Sequence, residues 1–298
     1  MTAFQPTTIL LRRRAALGDV ILTTGIVREL YAKYQGQCCI DIVTDFVDVF
    51  QGNPYVRKAY HTAQLPAQDY DVVLNLDDAY ECNPTASVIG AYSNRVFGTT
   101  AVDGEMELYA SDAELCRVDS FIQDKIASDF IVIHMRNWHW ALKNIAVEVW
   151  MDAINKVLAA NCTIKIVCVG SKTDYCPTGH SRLVDGRDFS VQGLSYLMDH
   201  AKCFVGIDSA PFHVAGTSKA HIVALLSHMR PESILPMRNG VAGFNCTVIQ
   251  AEVPCVGCYS RQQVPVRSIK CERNAKEQFI CNRAWNTDKI VSAIVDHL

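Results

Sequence analysis

"GIDSAPFHVAGTS", residues 206–218, follows the apolar run Cys203-Phe204-Val205 and precedes a stretch with helical spacing. A strand that ends in a glycine, an acid and two small residues, with a proline at the next helical turn, reads as a strand-to-helix connection. Gly206 would let backbone approach a ligand closely. Asp208 and Ser209 stand at the strand end. The amides of Ser209 and Ala210 would face outward, with His213 one turn in, a pattern that suits an anion.

Apolar runs and helical patterns alternate on both sides of this turn. Strands are expected at 8–11, 39–43, 72–76, 130–134, 165–169, 203–206, 222–226 and 247–249, and helices at 20–33, 147–160, 191–200 and 211–217. Apolar strands alternating with helices imply parallel sheets covered on both faces. The alternation restarts near Phe130, after an acid-rich stretch (Asp103, Glu105, Glu107, Asp112, Glu114). The expected organisation is α/β, with two doubly wound domains at 1–122 and 123–298, a linker within 103–128, and a cleft at the carboxyl ends of the strands.

The 298 residues suit about two domains. With 49 % apolar and 20 % charged residues, the composition is that of a folded globular chain. The formal net charge of −3 gives no basic field for nucleic acid, which is not expected as a partner. No apolar run is long enough to span a bilayer, and the N-terminus lacks a signal-peptide pattern. Thirteen cysteines without such a signal fit a reducing cytoplasm better than a disulfide framework.

Three further stretches carry candidate chemistry. In "RRRAALGDVILTT", residues 12–24, a strand ends, Gly18-Asp19 turns, and a helix begins. Asp19 is either a helix cap or a general base at the cleft. In "IHMRNWHWALKNIAVEVW", residues 133–150, Arg136 and Lys143 lie in a loop before a helix, where a diphosphate fits. In "IVCVGSKTD", residues 166–174, a strand ends at Gly170 and Asp174 follows, placed to accept ribose hydroxyls.

"GDVILTTGIVREL" resembles the first strand–helix turn of the heptosyltransferase-like glycosyltransferases (family 9), and "LSYLMDHAKCFVGIDSAPFHVAGTSKAHIVALLS" resembles their later signature. Ala210 stands where that family has glycine, and Lys143 is followed by Asn-Ile-Ala where the family has a tryptophan and a proline. The resemblance implies the GT-B architecture, two Rossmann-like domains facing a cleft. It also implies an inverting glycosyltransferase with a nucleotide-diphosphate sugar donor, typically ADP-heptose, and no active-site metal. On this reading Asp19 is the catalytic base. Gly18, Arg136, Lys143, Gly170, Asp174, Asp208, Ser209, Ala210 and His213 serve the donor. Arg12, Arg13, Arg14 and Thr23 serve the acceptor, a lipopolysaccharide core or a protein, with peripheral contact to the inner membrane allowed. A different donor, a nucleobase acceptor, a sugar-nucleotide epimerase and a non-catalytic nucleotide-sugar binder are the alternatives.

The last four cysteines stand apart. Cys255 and Cys258 form a C-x-x-C pair, followed by Cys271 and Cys281. Four thiolates suit a closed structural site, with zinc as the default metal, although four ordinary thiols would look the same. The segment also resembles the four-cysteine finger of autotransporter-type heptosyltransferases, a resemblance that implies iron and a protein acceptor.

Overall fold

The computed structural model describes residues 5–82, 87–100, 103–135, 141–259, 271 and 279–298. The first half contributes β1 (Thr7–Arg12), α1 (Leu17–Lys33), β2 (Cys38–Thr44), β3 (Val56–His61), β4 (Val72–Asn75) and α2 (Val88–Phe97). Next come α3 (Asp112–Phe121), β5 (Phe130–His134), α4 (Val147–Ala160), β6 (Lys165–Cys168), β7 (Leu183–Asp185), α5 (Val191–Asp199) and β8 (Cys203–Ile207). The chain continues with α6 (Ala210–Gly216), β9 (His221–Leu226), α7 (Pro231–Ile234), the hairpin of β10 (Met237–Arg238) and β11 (Val241–Ala242), β12 (Cys246–Gln250) and α8 (Thr287–Val295).

Two parallel sheets result, with strand orders β3-β2-β1-β4 and β12-β9-β8-β5-β6-β7. Side chains alternate across the second sheet as the pleat requires. Ile131 and Ile133 of β5 join the core under α4 and α8, while Phe130 and Val132 join the core under α5 and α6. Helix α4 buries Trp150, Ala153, Ile154, Val157 and Leu158, the stripe of a one-sided helix. The core under α6 runs on without a break into that of the first sheet, because α1 packs on α6.

The expected strands and helices are present with small shifts at their ends. The structure adds β3, β7, α2, α3, α7, the β10–β11 hairpin and α8. The acid-rich stretch expected as a linker is ordered along α1. Thr24 Oγ1 accepts from the Glu107 amide at 3.0 Å, and Arg28 meets Glu107 at 2.6 Å and Asp103 at 3.3 Å. A Cβ on Gly25 would lie 2.6 Å from the Gly104 carbonyl oxygen, so this approach needs glycine. Helix α3 then opens with a capping box, Ser111 and Glu114 each bonding the other's backbone amide, and packs on α5.

Candidate active site

A cavity of about 1230 Å³ opens at the carboxyl ends of the strands, between residues after β1 and β4 on one side and after β8 and β9 on the other. The first wall is built on Arg13. Arg13 is 4 % exposed, and its guanidinium donates to Asp19 Oδ2 at 2.7 Å, Glu81 Oε1 at 3.2 Å and the Leu76 carbonyl at 3.1 Å. Burial opposes the charge, but Tyr92, whose ring lies beneath the guanidinium, and then Asp19 and Glu81 hold its pKa above the usual range. The cap of α1 is Ala16, and no side chain bonds its exposed amides. Asp19 is therefore not the helix cap. Its carboxylate sits in the cavity wall, partly exposed, oriented by Arg13.

The second wall is built on Asp208, which is buried. Lys143 Nζ lies 2.6 Å from Asp208 Oδ2, His228 Nε2 3.3 Å from the same oxygen, and His213 Nε2 3.7 Å from Oδ1. Burial works against the carboxylate, yet Lys143 and the two imidazoles hold its pKa well below the usual range. His228 comes just after β9 and was not expected from sequence. It belongs to no motif there, and only the neighbouring strand ends of a parallel sheet bring it to Asp208. The walls touch at Gly18, where a Cβ would lie 2.5 Å from the His213 ring. Stacked Tyr80 and Tyr259, 6.0 Å between centroids, also join them.

Behind Asp208 runs a buried chain of three side chains. Ser209 Oγ lies 2.9 Å from His134 Nδ1, and His134 Nε2 lies 3.4 Å from Asp174 Oδ2. Asp174 also accepts from the Ser171 amide at 2.7 Å. Burial would raise the Asp174 pKa, but His134 and Ser171 bring it down to about 2.

Several expected sites change meaning. Of the expected donor residues, Lys143, Asp208 and His213 line the cavity, whereas Gly18, Gly170, Asp174, Ser209 and Ala210 are outside its lining. The carboxylate expected to meet a ribose is engaged within the fold. Gly170, at φ +131°, leaves the room that Asp174 and His134 fill, for a Cβ there would come within 2.4 Å of the carboxylate. Thr23 is fully buried and gives its hydroxyl to the Val20 carbonyl, so the structure does not bring it to the cleft. Gly206 makes room for the Phe204 ring, 2.5 Å from where a Cβ would be, rather than for a ligand. Arg12, Arg13 and Arg14 all line the cavity, but Arg12 and Arg14 bond Asp77 at 2.9 and 2.7 Å, and Arg13 bonds Asp19 and Glu81. Ala210 begins α6 immediately after Ser209. Arg136 lies outside the described residues.

Cys281 is buried, and its thiol is pushed up to about 11, first by burial and then by Cys258, Cys271 and Cys255. All three are thus near enough to influence it. Among the described residues, no three or more Cys, His, Asp or Glu side chains close into a metal-binding group. Elsewhere, Cys168 and Cys203 behave as small buried hydrophobes, while Cys82, Cys116 and Cys162 are exposed. Among the described residues, no helix is long and apolar enough to cross a membrane.

No curated protein matches this sequence. A glycosyl transferase family 9 protein from Veillonella parvula DSM 2008 is similar in structure, with a TM-score of 0.75 at 16 % identity over 97 % of this chain and 96 % of its own. The iron-containing dodecameric glycosyltransferase TibC from enterotoxigenic E. coli H10407 gives 0.72 at 13 % identity over 99 % and 79 %. The E. coli ADP-heptose LPS heptosyltransferase II gives 0.60 at 14 % identity over 88 % and 96 %. Residues 148–264 match the model of glycosyltransferase family 9 (heptosyltransferase). The chain thus has the GT-B fold of these glycosyltransferases, with a family 9 domain match in its second half.

Proposed function

We propose that this chain is an inverting glycosyltransferase that moves a heptose from ADP-heptose to an acceptor hydroxyl. One observation carries the reading: a cavity wall bearing the Arg13-oriented Asp19 carboxylate faces a wall bearing Lys143 on Asp208. Asp19 takes the acceptor proton as the new sugar–oxygen bond forms and the bond to the diphosphate breaks on the opposite side. Lys143 and the backbone at Ser209–Ala210 meet the charge that develops on the leaving diphosphate. The donor identity is supported by relatives: TibC has a structure in complex with ADP-D-beta-D-heptose, and an E. coli heptosyltransferase has one with ADP-2-deoxy-2-fluoro heptose. A binder without catalysis would have no need of a carboxylate held at the cavity surface.

The acceptor half of the cavity favours a neutral or cationic acceptor, such as a protein segment, over a phosphorylated glycan core. Asp19, Asp45, Asp77, Asp78 and Glu81 line it, and the three arginines are paired with acids of this set. An anionic acceptor would have to displace those carboxylates.

Cys255, Cys258, Cys271 and Cys281 would hold a structural zinc or iron, tying the last segment to the second sheet where a metal supplies folding free energy. The influence of the other three on Cys281 supports the grouping, and TibC is described as iron-containing. About one metal per chain is expected on elemental analysis of protein purified without chelator. A value near zero, with all four thiols reactive in the native state, rejects the site. A reducing compartment is part of the same reading.

The donor is tested by thermal shift with ADP-, UDP-, GDP- and CDP-sugars. A ligand at about 100 times its Kd stabilises the fold by about 2.7 kcal/mol. Stabilisation by an ADP-sugar, followed by transfer to a hydroxyl acceptor, is the expected result. No shift with any of them would sink the reading.

A further inference from the structure

We propose that residues 255–259 form a strap across the cavity. The C-x-x-C turn docks on the second wall and sets Tyr259 against Tyr80 of the first, so that order in the cysteine segment holds the two walls together. The strap acts whichever ligand fills the cavity.

The turn is fixed to the second wall by its backbone. The Gly257 amide donates to the Ser227 carbonyl at 2.8 Å, and the Tyr259 amide to the His228 carbonyl at 2.9 Å. Both carbonyls follow β9, and the imidazole of His228 is the one that meets Asp208 at 3.3 Å. Gly257 has φ +72°, and a Cβ there would fall 2.9 Å from Arg230 Cγ, so this position between the two cysteines needs glycine.

Tyr259 follows Cys258 directly and carries the chain to the first wall. Its ring lies parallel to that of Tyr80, 8° between planes and 6.0 Å between centroids, and meets His228 edge-on at 6.4 Å. Both tyrosines are buried and both line the cavity. Burial first, then Tyr80, Glu81, Asp19 and Asp208, hold the Tyr259 phenol above its usual range, so that phenol lies between the carboxylates of the two walls. Tyr80 precedes Glu81, which shares Arg13 with Asp19. One stacked pair thus separates the network of Asp19 from the loop that carries His228 to Asp208. Tyr259 is a positioning residue, and loosening the turn at Cys255 and Cys258 loosens a cavity wall.

Amide hydrogen exchange, read residue by residue by NMR on the whole protein, tests the strap from both ends. The reporters on the first wall are Ala79 and Cys82, which donate to the Leu76 and Asp78 carbonyls; those on the second are Gly257 and Tyr259. Tyr259→Leu keeps apolar bulk and removes the stack. Ala79 and Cys82 should then exchange about three- to tenfold faster, the size of one aromatic pair. Tyr80→Leu should speed Gly257 and Tyr259 by the same factor. The two changes together should do no more than either alone, because they break one contact. Tyr259→Phe keeps the stack and should stay within about twofold of wild type. Gly257→Ala leaves both rings in the sequence but disturbs the turn, and should also speed Ala79 and Cys82 about threefold or more. It keeps the test sound if a leucine variant fails to fold. Asn161, which bonds Val157 at the end of α4 and opens without breaking the stack, should change less than about twofold throughout.

Wild-type exchange at Ala79 and Cys82 in the Tyr259→Leu and Gly257→Ala variants would overturn the proposal. So would a phenylalanine variant as fast as the leucine one, or an Asn161 amide that speeds as much as the reporters. None of these results depends on the donor, so the strap and the function proposed above fail separately.

Discussion

Asp19 and Asp208 are carboxylates on opposite walls of one cavity, and their surroundings set them to different work. Asp19 has a side chain 29 % exposed and one cationic neighbour, Arg13, which it shares with Glu81. Asp208 has a side chain 7 % exposed and three neighbours, Lys143, His213 and His228. A carboxylate that is reachable and oriented can accept a proton during a reaction. One that is buried against a lysine and two imidazoles stays ionised and serves as an anchor. The same side chain thus becomes a reactant on one wall and a fixture on the other.

The sharpest way to break this comparison is Asp19→Asn. It keeps the shape and removes the proton acceptor, so turnover should fall by about 10²–10⁴-fold with ADP affinity nearly unchanged. Steady-state kinetics and calorimetry read the two parts separately. Should Glu81→Gln abolish turnover while Asp19→Asn leaves it at the wild-type rate, the reactive carboxylate is the other partner of Arg13.

On the second wall the expected damage is to the fold and to donor binding. Lys143→Met leaves Asp208 buried with only the two imidazoles. Breaking a buried pair costs about 3–5 kcal/mol, and the low end, about 3 kcal/mol, suits a lysine that keeps some solvent contact. Chemical denaturation measures this, and ADP should weaken more than adenosine. An unchanged midpoint would mean that Asp208 is not an anchor.

The two walls were unequally legible in the sequence. Both turns, Gly18-Asp19 and Gly206 to Pro211, could be read because a strand end, a small residue and an acid lie together in the chain. Pairings across the chain could not. That Arg13 turns inward while Arg12 and Arg14 settle on Asp77 depends on β4 lying beside β1. His134 looked like the last residue of an apolar strand, and His228 fell in no motif. Strand β3 escaped notice because "VRKAYH" is a half-exposed edge strand with little apolar signal. Helix α3 did carry a readable signal, the Ser-Asp-Ala-Glu capping box at 111–114, inside a stretch whose acids resembled a linker.

Acid titration sharpens the comparison further, through Asp174. Its folded pKa, about 2, is depressed below the unfolded value near 3.9. Its contribution is therefore complete above about pH 4 and is lost as pH falls through 2, an amount of about 2 kcal/mol. Asp174→Asn should be less stable than wild type by roughly that much at pH 6. The gap should close by pH 2, as followed by urea unfolding at each pH. A gap that is constant with pH would show that shape, and not charge, is what Asp174 supplies.

The smallest effect is expected at Arg12 and Arg14. Arg14 is exposed, Arg12 is half-buried, and the two share the Asp77 carboxylate, which is largely buried. Either arginine alone still pairs Asp77, so Arg12→Ala and Arg14→Ala should each shift stability by about 1 kcal/mol or less. Their effect on catalysis discriminates more. If these arginines gripped acceptor phosphates, each loss would raise acceptor KM about tenfold and the penalty would shrink in high salt. If they neutralise Asp77, as the geometry has it, removing one leaves Asp77 paired with the other and makes the acceptor half one charge more negative. A neutral acceptor then changes by less than about twofold, and a basic peptide acceptor binds slightly better at low salt. Measuring acceptor KM for both variants at low and high ionic strength separates the outcomes. A tenfold, salt-sensitive loss with an anionic glycan would return the acceptor half of the cavity to phosphate recognition, with the arginines released from Asp77 when the acceptor arrives.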